Sequence, residues 1–262
     1  MTTRYAAMFE RCTAASEGAF GAFLMLGDPD LETSALLLDA LVDGGADMVE
    51  LGIPFSDPVA DGPVIQQAAI RALAAGVRTR HSLDLVAAFR MRHEDVPIGI
   101  LTYANIVAAR GIDRFAEELG DAGIDSLLVA DVPSIEAAPY AAAARNAGID
   151  LVMIAAPNTP RATLAKIATL SSGYTYCVAR AGITGADERL SLDHGSLFAA
   201  LHEVGAPPPV LGFGISTPDQ VRQALASGAA GVISGSAIVA KVSEGADSVR
   251  AFVSTMKAAT RR

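Results

Sequence analysis

The feature that most constrains the fold is a repeated alternation of short apolar runs with longer segments of helical spacing. The junctions repeat as well, because a glycine closes a helical segment one or two residues before the next apolar run begins. Gly44, Gly123 and Gly148 stand at such junctions, where we expect a left-handed backbone conformation. An alternation of strands and helices predicts a sheet of parallel strands.

Eight apolar runs qualify as strands. They are residues 20–26, 48–51, 98–103, 127–130, 151–155, 174–178, 209–211 and 231–234. Helical spacing predicts a leading helix and seven further helices, over residues 5–16, 31–43, 82–92, 112–119, 135–145, 162–170, 197–204 and 218–226. Runs without polar residues indicate strands that are covered on both faces. An α/β fold follows from this pattern.

The length favours one closed barrel. Eight strand–helix units of about 30 residues each account for the 262 residues. We therefore predict a single (β/α)8 TIM barrel domain over residues 1–262, with an additional N-terminal helix and a short helix after strand eight. An open, doubly wound sheet would show the same periodicity and remains the alternative from pattern alone.

Composition excludes several classes of function. The chain has 20 Lys and Arg against 29 Asp and Glu, a net charge of −9 without a basic cluster, so we expect no nucleic-acid binding. The sequence contains no uncharged run of about 18 apolar residues, so we expect no membrane helix. The N-terminus lacks the pattern of a signal peptide. With only Cys12 and Cys177, far apart, we expect reduced thiols in a cytoplasmic protein. The four histidines lack metal-ligand spacing, so we expect no metal site.

The catalytic candidates are polar residues at strand ends, because a barrel places its site at the carboxyl ends of its strands. Glu50 lies within the apolar run 48–51, where an ionised carboxylate is costly and a raised pKa would suit a general acid or base. The proline-rich loop that follows carries Asp57 and Asp61, which could supply a second carboxylate. A structural role for Glu50 and simple turn chemistry for the two aspartates remain the alternatives.

Two glycine-containing turns predict a phosphate site. Residues 212–216 follow strand seven, and residues 233–237 follow strand eight and open a short helix. Barrels often hold phosphate with these loops, because backbone amides and a helix N-terminus favour an anion. Thr217 occupies the last position of a Gly-x-Gly-x-x-Gly pattern, so no dinucleotide fingerprint is present. The glycine-rich residues 180–186 after strand six could form a mobile lid or an ordinary surface loop.

These segments together resemble the tryptophan synthase α subunit family along nearly the whole chain. The matching segments are 26–29 (LGDP), 50–58 (ELGIPFSDP), 60–63 (ADGP), 103–105 (YAN), 128–133 (LVADVP), 180–185 (RAGITG), 212–216 (GFGIS) and 233–239 (ISGSAIV). The loop after strand two is the most specific of them.

The resemblance implies a lyase of tryptophan biosynthesis. It implies retro-aldol cleavage of indole-3-glycerol phosphate to indole and glyceraldehyde 3-phosphate, without a cofactor in this subunit. It also implies a partner, the pyridoxal-phosphate-dependent β subunit, in an αββα heterotetramer in which indole passes through a tunnel to react with serine. Asp57 and its loop would face this partner.

The resemblance also assigns the site residues. Glu50 matches the general acid/base, and Asp61 matches the carboxylate that binds the indole N–H and stabilises its developing positive charge. The substrate-binding residues that it implies are Phe23, Leu101, Leu128 and Ile233 around the indole ring, Tyr176 as a tyrosine of the substrate pocket, Thr184 in the lid, and Gly185, Gly214, Gly235 and Ser236 at the phosphate.

Two further functions stay open at this stage. The chain could be a mainly regulatory subunit that activates a β partner while its own site is weak. It could also be a stand-alone lyase that releases indole without a partner. The intact pair of Glu50 and Asp61 argues against the first, and the intact loop around Asp57 argues against the second.

Overall fold

A computed structural model of the chain describes residues 3–178 and 194–261. Within these residues nine strands form one sheet, and every neighbouring pair in it is parallel. The strands are β1 (Ala19–Met25), β2 (Met48–Gly52), β3 (Ile98–Thr102), β4 (Ser126–Val129), β5 (Asp150–Leu151), β6 (Met153–Ala155), β7 (Thr175–Val178), β8 (Pro209–Gly212) and β9 (Gly231–Ser234).

The sheet closes into a barrel through one bent segment. Its order is β5-β4-β3-β2-β1-β9-β8-β7-β6, so its two ends are β5 and β6, which only Val152 separates along the chain. The Val152 N–H bonds to the Leu127 carbonyl at 2.9 Å and continues the pairing on the β4 side. The predicted barrel is confirmed, and an open sheet with two unrelated edge strands is excluded.

The prediction of eight strands was wrong in one detail. The run 151–155 forms two short strands, because its first part pairs with β4 and its second part pairs with β7. Turning from one neighbour to the other interrupts the regular hydrogen bonding at Val152. The barrel therefore keeps eight strand positions, and β5 and β6 together occupy one of them.

Helices cover the outside of the sheet. Among the described residues they are α1 (Arg4–Ala14), α2 (Leu31–Asp43), α3 (Pro63–Ala74), α4 (Thr79–Arg92), α5 (Ala104–Arg110), α6 (Ile112–Asp121), α7 (Ala138–Asn146), α8 (Arg161–Leu170), α9 (Gly195–Glu203), α10 (Pro218–Ala226), α11 (Ser236–Val239) and α12 (Ala246–Ala258), with a 3-10 turn at Val242–Glu244. The leading helix and the short helix after the last strand are as predicted. The predictions lacked α3, α5 and α12. None of the helices in the described part of the chain is long and apolar enough to cross a membrane.

Local chemistry explains several element boundaries. Thr217 caps α10 with a complete capping box, and Pro218 occupies its first turn. Gly123 and Gly148 have φ of +77° and +71° where they end helices, as predicted. Gly44 does not, since its φ is −73° and the left-handed residue is its neighbour Gly45 at +96°.

The leading helix packs at the amino ends of the strands. Tyr5 is buried, its hydroxyl hydrogen-bonds Ser126 Oγ at 2.8 Å, and its ring lies 5.2 Å from the ring of Tyr174. Arg4 binds the carboxylate of Asp125 at 2.8 Å. Because this end is filled by side chains and salt bridges, the open end of the barrel is the carboxyl one.

Candidate active site

A cavity of about 440 Å³ lies at the carboxyl ends of the strands. Most of the predicted site residues line it, namely Phe23, Glu50, Asp61, Leu101, Tyr176, Gly214, Ile233, Gly235 and Ser236. Leu128 lines an adjoining space of about 240 Å³, which shares Asp61, Leu101 and Tyr176 with the first. Thr184, Gly185 and the predicted lid lie outside the described residues.

Glu50 is carried into the barrel interior by the alternation of β2. It pairs in register with Phe23 on one side and Gly99 on the other, and it is 3% exposed. Burial, with a smaller contribution from the charge of Asp61, raises the pKa of Glu50 to about 8, although the Tyr174 hydroxyl that donates to its Oε1 at 3.3 Å opposes the shift. At neutral pH Glu50 is therefore mostly protonated and can donate a proton.

Asp61 lies in the loop between β2 and α3. Its side chain is 6% exposed, and burial raises its pKa to about 6, while a hydrogen bond from the Tyr103 hydroxyl opposes that rise. The Gln66 side-chain amide donates to the Asp61 backbone carbonyl at 2.7 Å and fixes the end of the loop. Because its pKa is about 6, Asp61 is mostly ionised at neutral pH. Two carboxyl groups with pKa values on either side of neutrality can divide acid and anionic roles between them.

The opposite wall of the cavity is built from the two predicted glycine turns. Phe213 and Gly214 both have left-handed backbone conformations, at φ of +64° and +80°. Ser234 Oγ donates to the Ile215 carbonyl at 2.7 Å, so the two turns are tied together. Ser236 begins α11, and the first N–H groups of a helix have no intrahelical acceptor. No Lys or Arg is among the described residues that line the cavity, so backbone amides are the groups that an anion would meet there.

Three residues that shape the site were not among those predicted from the sequence. Tyr103 binds Asp61, Tyr174 binds Glu50, and the Phe213 ring lies 5.7 Å from the ring of Tyr176, edge to face. Tyr103 follows β3 directly, so a search for every polar residue after a strand would have found it. Tyr174 stands before β7 and reaches Glu50 across the barrel, which no local pattern signals.

Gly212 is required by the position of Tyr176. A Cβ atom on Gly212 would lie 2.1 Å from the Tyr176 hydroxyl oxygen and 2.2 Å from Cζ. We expect Gly212→Ala to destabilise the fold by about 1–3 kcal/mol and to push the ring of Tyr176 into the cavity. Urea unfolding would measure this, with Gly235→Ala as the matched control, because a Cβ atom there meets Phe23 at an ordinary 3.6 Å. Equal stability of the two variants would contradict the prediction.

The buried acid also predicts a pH-dependent stability. The pKa of Glu50 rises from 4.5 to about 8 on folding, so between these pH values the folded chain holds a proton that the unfolded chain has released. The free energy of unfolding therefore falls as pH rises through this window. We expect Glu50→Gln to be more stable than the wild type at pH 8, by on the order of a few kcal/mol, and equal to it at about pH 4.5.

Urea unfolding at several pH values would measure this difference. Asp84→Asn, at an exposed position on α4, serves as the control for removal of a carboxylate. A difference between Glu50→Gln and the wild type that stayed constant with pH would show that Glu50 is not the group responsible.

Comparison with known proteins agrees with the geometry. A sequence model of the tryptophan synthase alpha chain family matches residues 9–262. The chain belongs to the tryptophan synthase alpha chain family. It is 50% identical to the alpha chain of Shewanella amazonensis over 98% of this chain and 99% of that one. It is 51% identical to the alpha chain of Aeromonas hydrophila over 99% of both chains.

Solved structures of the family share the fold. Tryptophan synthase from Mycobacterium tuberculosis superposes with a TM-score of 0.92 at 33% identity, over 100% of both chains. The tryptophan synthase alpha subunit of Legionella pneumophila superposes with a TM-score of 0.89 at 30% identity. Membership in the family makes the chain a lyase of tryptophan biosynthesis, as the resemblance of its motifs predicted.

Proposed function

We propose that this chain cleaves indole-3-glycerol phosphate to indole and glyceraldehyde 3-phosphate, with Glu50 as general acid/base and Asp61 as the stabilising anion. One observation carries the proposal: two buried carboxyl groups, with pKa values of about 8 and about 6, share a cavity with an apolar wall and an amide-lined wall. The cavity thus offers a place for each part of the substrate.

The indole ring is placed against the apolar wall. Phe23, Leu101 and Ile233 line it, and Leu128 extends it. The phosphate is placed at the two glycine turns, against Gly214, Gly235 and Ser236. Thr184 and Gly185 are assigned to the same substrate from the family motif alone. Tyr176, which lines both spaces, is assigned to the substrate pocket.

In the proposed reaction Glu50 gives one proton to the substrate and takes one back. Protonated Glu50 donates to indole C3, and the ring becomes cationic at its nitrogen, where ionised Asp61 stabilises the charge. The Glu50 carboxylate then takes the proton from the glycerol hydroxyl adjacent to C3. The C–C bond breaks, its electron pair returns to the ring, and the hydroxyl carbon becomes the aldehyde of glyceraldehyde 3-phosphate. Glu50 ends protonated, as it began.

The partner and cofactor are part of the proposal. We place the chain in an αββα complex with a β subunit that carries pyridoxal phosphate, while this subunit uses no cofactor. Its relatives of known structure include proteins described as tryptophan synthase, which supports this assembly. Asp57 is exposed on the loop after β2 and is assigned to the face that meets the β subunit. We further propose one barrel domain over residues 1–262 and a cytoplasmic location, as befits a biosynthetic enzyme.

A steady-state assay of indole release from indole-3-glycerol phosphate, with and without a β subunit, tests the proposal. We expect release by the isolated chain and faster release with the partner. No release by either preparation would overturn the lyase assignment and leave a regulatory subunit. Full activity alone, unchanged by the partner, would instead indicate a stand-alone lyase.

A further inference from the structure

Tyr103 connects the end of β3 to the loop that carries Asp61. It is 2% exposed, it directly precedes α5, and its ring packs against Phe55 with 5.3 Å between centroids. Its hydroxyl hydrogen-bonds the Asp61 side chain and accepts the Ala60 N–H at 3.3 Å. The hydroxyl of Tyr103 thus bonds to two consecutive residues of one loop, Ala60 and Asp61.

The direction of the phenol proton follows from this pair of contacts. A backbone N–H can only donate, so the Tyr103 oxygen must act as the acceptor toward Ala60. Its own proton is then left for the carboxylate of Asp61. We propose that Tyr103 is a positioning residue of the lyase, whose hydroxyl holds Asp61 ionised and aimed at the indole nitrogen. This inference rests on the proposed role of Asp61.

The charge of Asp61 needs such support. Burial raises the pKa of Asp61, and the hydrogen bond from Tyr103 is the effect that lowers it. The pKa of Tyr103 itself is raised by burial and by the charge of Asp61, so the phenol keeps its proton. Because the phenol stays protonated, Tyr103 can donate its hydrogen bond to Asp61 throughout the pH range in which Asp61 titrates.

Other titratable groups face this pair from the surrounding strands. Within the described residues they are Glu50 on β2, Tyr176 on β7 and Asp131 after β4. Glu50 is mostly protonated at neutral pH, and the Asp131 side chain accepts the Ala104 N–H at 2.8 Å while its charge adds to the rise of the Tyr103 pKa. Within the described residues, the Tyr103 hydroxyl is therefore the donor whose hydrogen bond lowers the pKa of Asp61.

The direct test needs no catalysis. The full chain is labelled with [4-¹³C]aspartate, the Asp61 signal is assigned with Asp61→Asn, and its titration is followed by NMR in the wild type and in Tyr103→Phe. Phenylalanine keeps the ring that packs on Phe55 and removes only the hydroxyl. We expect the pKa of Asp61 to rise by about one unit in the variant. Tyr140→Phe, which removes a phenol on α7, is the matched control and should leave the titration unchanged.

The kinetic test adds a second readout. In Tyr103→Phe the acid limb of the kcat profile for indole release should move to higher pH, with a loss on the order of tenfold near pH 6 that recovers toward pH 8. In an Asp61→Asn background the same change should add no further loss, because the two residues act as a unit.

The outcomes separate this inference from the proposed function. An Asp61 titration identical in wild type and Tyr103→Phe, with circular dichroism showing both folded, overturns the positioning role. A uniform loss of activity at all pH values, or equal losses in both backgrounds, also overturns it and leaves Tyr103 a packing residue. If the wild type released no indole, the proposed function would fail while the NMR titration still decided whether Tyr103 controls Asp61.

Discussion

Glu50→Gln is expected to lower the rate of indole release by about three orders of magnitude while the chain stays folded. Glutamine has nearly the shape of a protonated glutamic acid, and Glu50 is mostly protonated at neutral pH because burial raises its pKa to about 8. The substitution therefore preserves packing and the contact with Tyr174 but removes the transferable proton. Steady-state kinetics at pH 7, beside a circular dichroism spectrum, would measure both parts of this expectation.

A matched substitution separates the chemistry from the loss of a carboxyl group. Glu244→Gln changes an exposed carboxylate that pairs with Lys241 and does not line the cavity, and this variant should retain wild-type rates. Substrate binding should survive in Glu50→Gln, since the apolar and amide-lined walls are untouched. Wild-type turnover in a folded Glu50→Gln variant would refute the general acid/base role, and a collapsed fold would show that Glu50 is structural.

The fold could be predicted from sequence because its signals are local. Apolar runs such as 127–130 mark strands that are buried on both faces, and Gly123 and Gly148 mark helix ends by their need for positive φ. The split at Val152 could not be predicted, since it depends on which neighbour each half of one apolar run meets in space. Helix α3 could not be predicted with the others although Pro63 stands in its first turn, because Pro63 ends a run of prolines and aspartates that is equally typical of a loop.

The site was predictable to the extent that its residues stand at strand ends or interrupt apolar runs. Glu50 is conspicuous because a carboxyl group in such a run must be neutral or partnered. Its partner Tyr174 lies 124 positions away, and Tyr103 lies 43 positions from the Ala60 N–H that it accepts. Contacts of this kind arise when the barrel brings separate strands together. They leave no spacing pattern in the sequence, so the order of the two pKa values could be read only from the structure.

Asp61→Asn is expected to lower kcat by about 100-fold with a much smaller change in KM. The reason is that the positive charge on the indole ring exists only after C3 is protonated, so an anion beside it stabilises the transition state more than the ground state. Asparagine keeps a hydrogen-bond acceptor for the indole N–H and a partner for Tyr103, which preserves binding. It lacks the negative charge that Asp61 carries at neutral pH. The pKa of Asp61 is about 6 because burial raises it and the hydrogen bond from Tyr103 opposes that rise.

The pH profile would show whether charge is the cause. In the wild type the acid limb of kcat should follow ionisation of Asp61, whose pKa of about 6 places it just below neutrality. That limb should vanish in Asp61→Asn, because asparagine does not titrate, while Asp84→Asn on the exposed face of α4 should keep it. A variant that lost only affinity, with kcat and its acid limb intact, would show that Asp61 holds the substrate without stabilising charge. The catalytic anion of the lyase would then have to be sought elsewhere around the cavity.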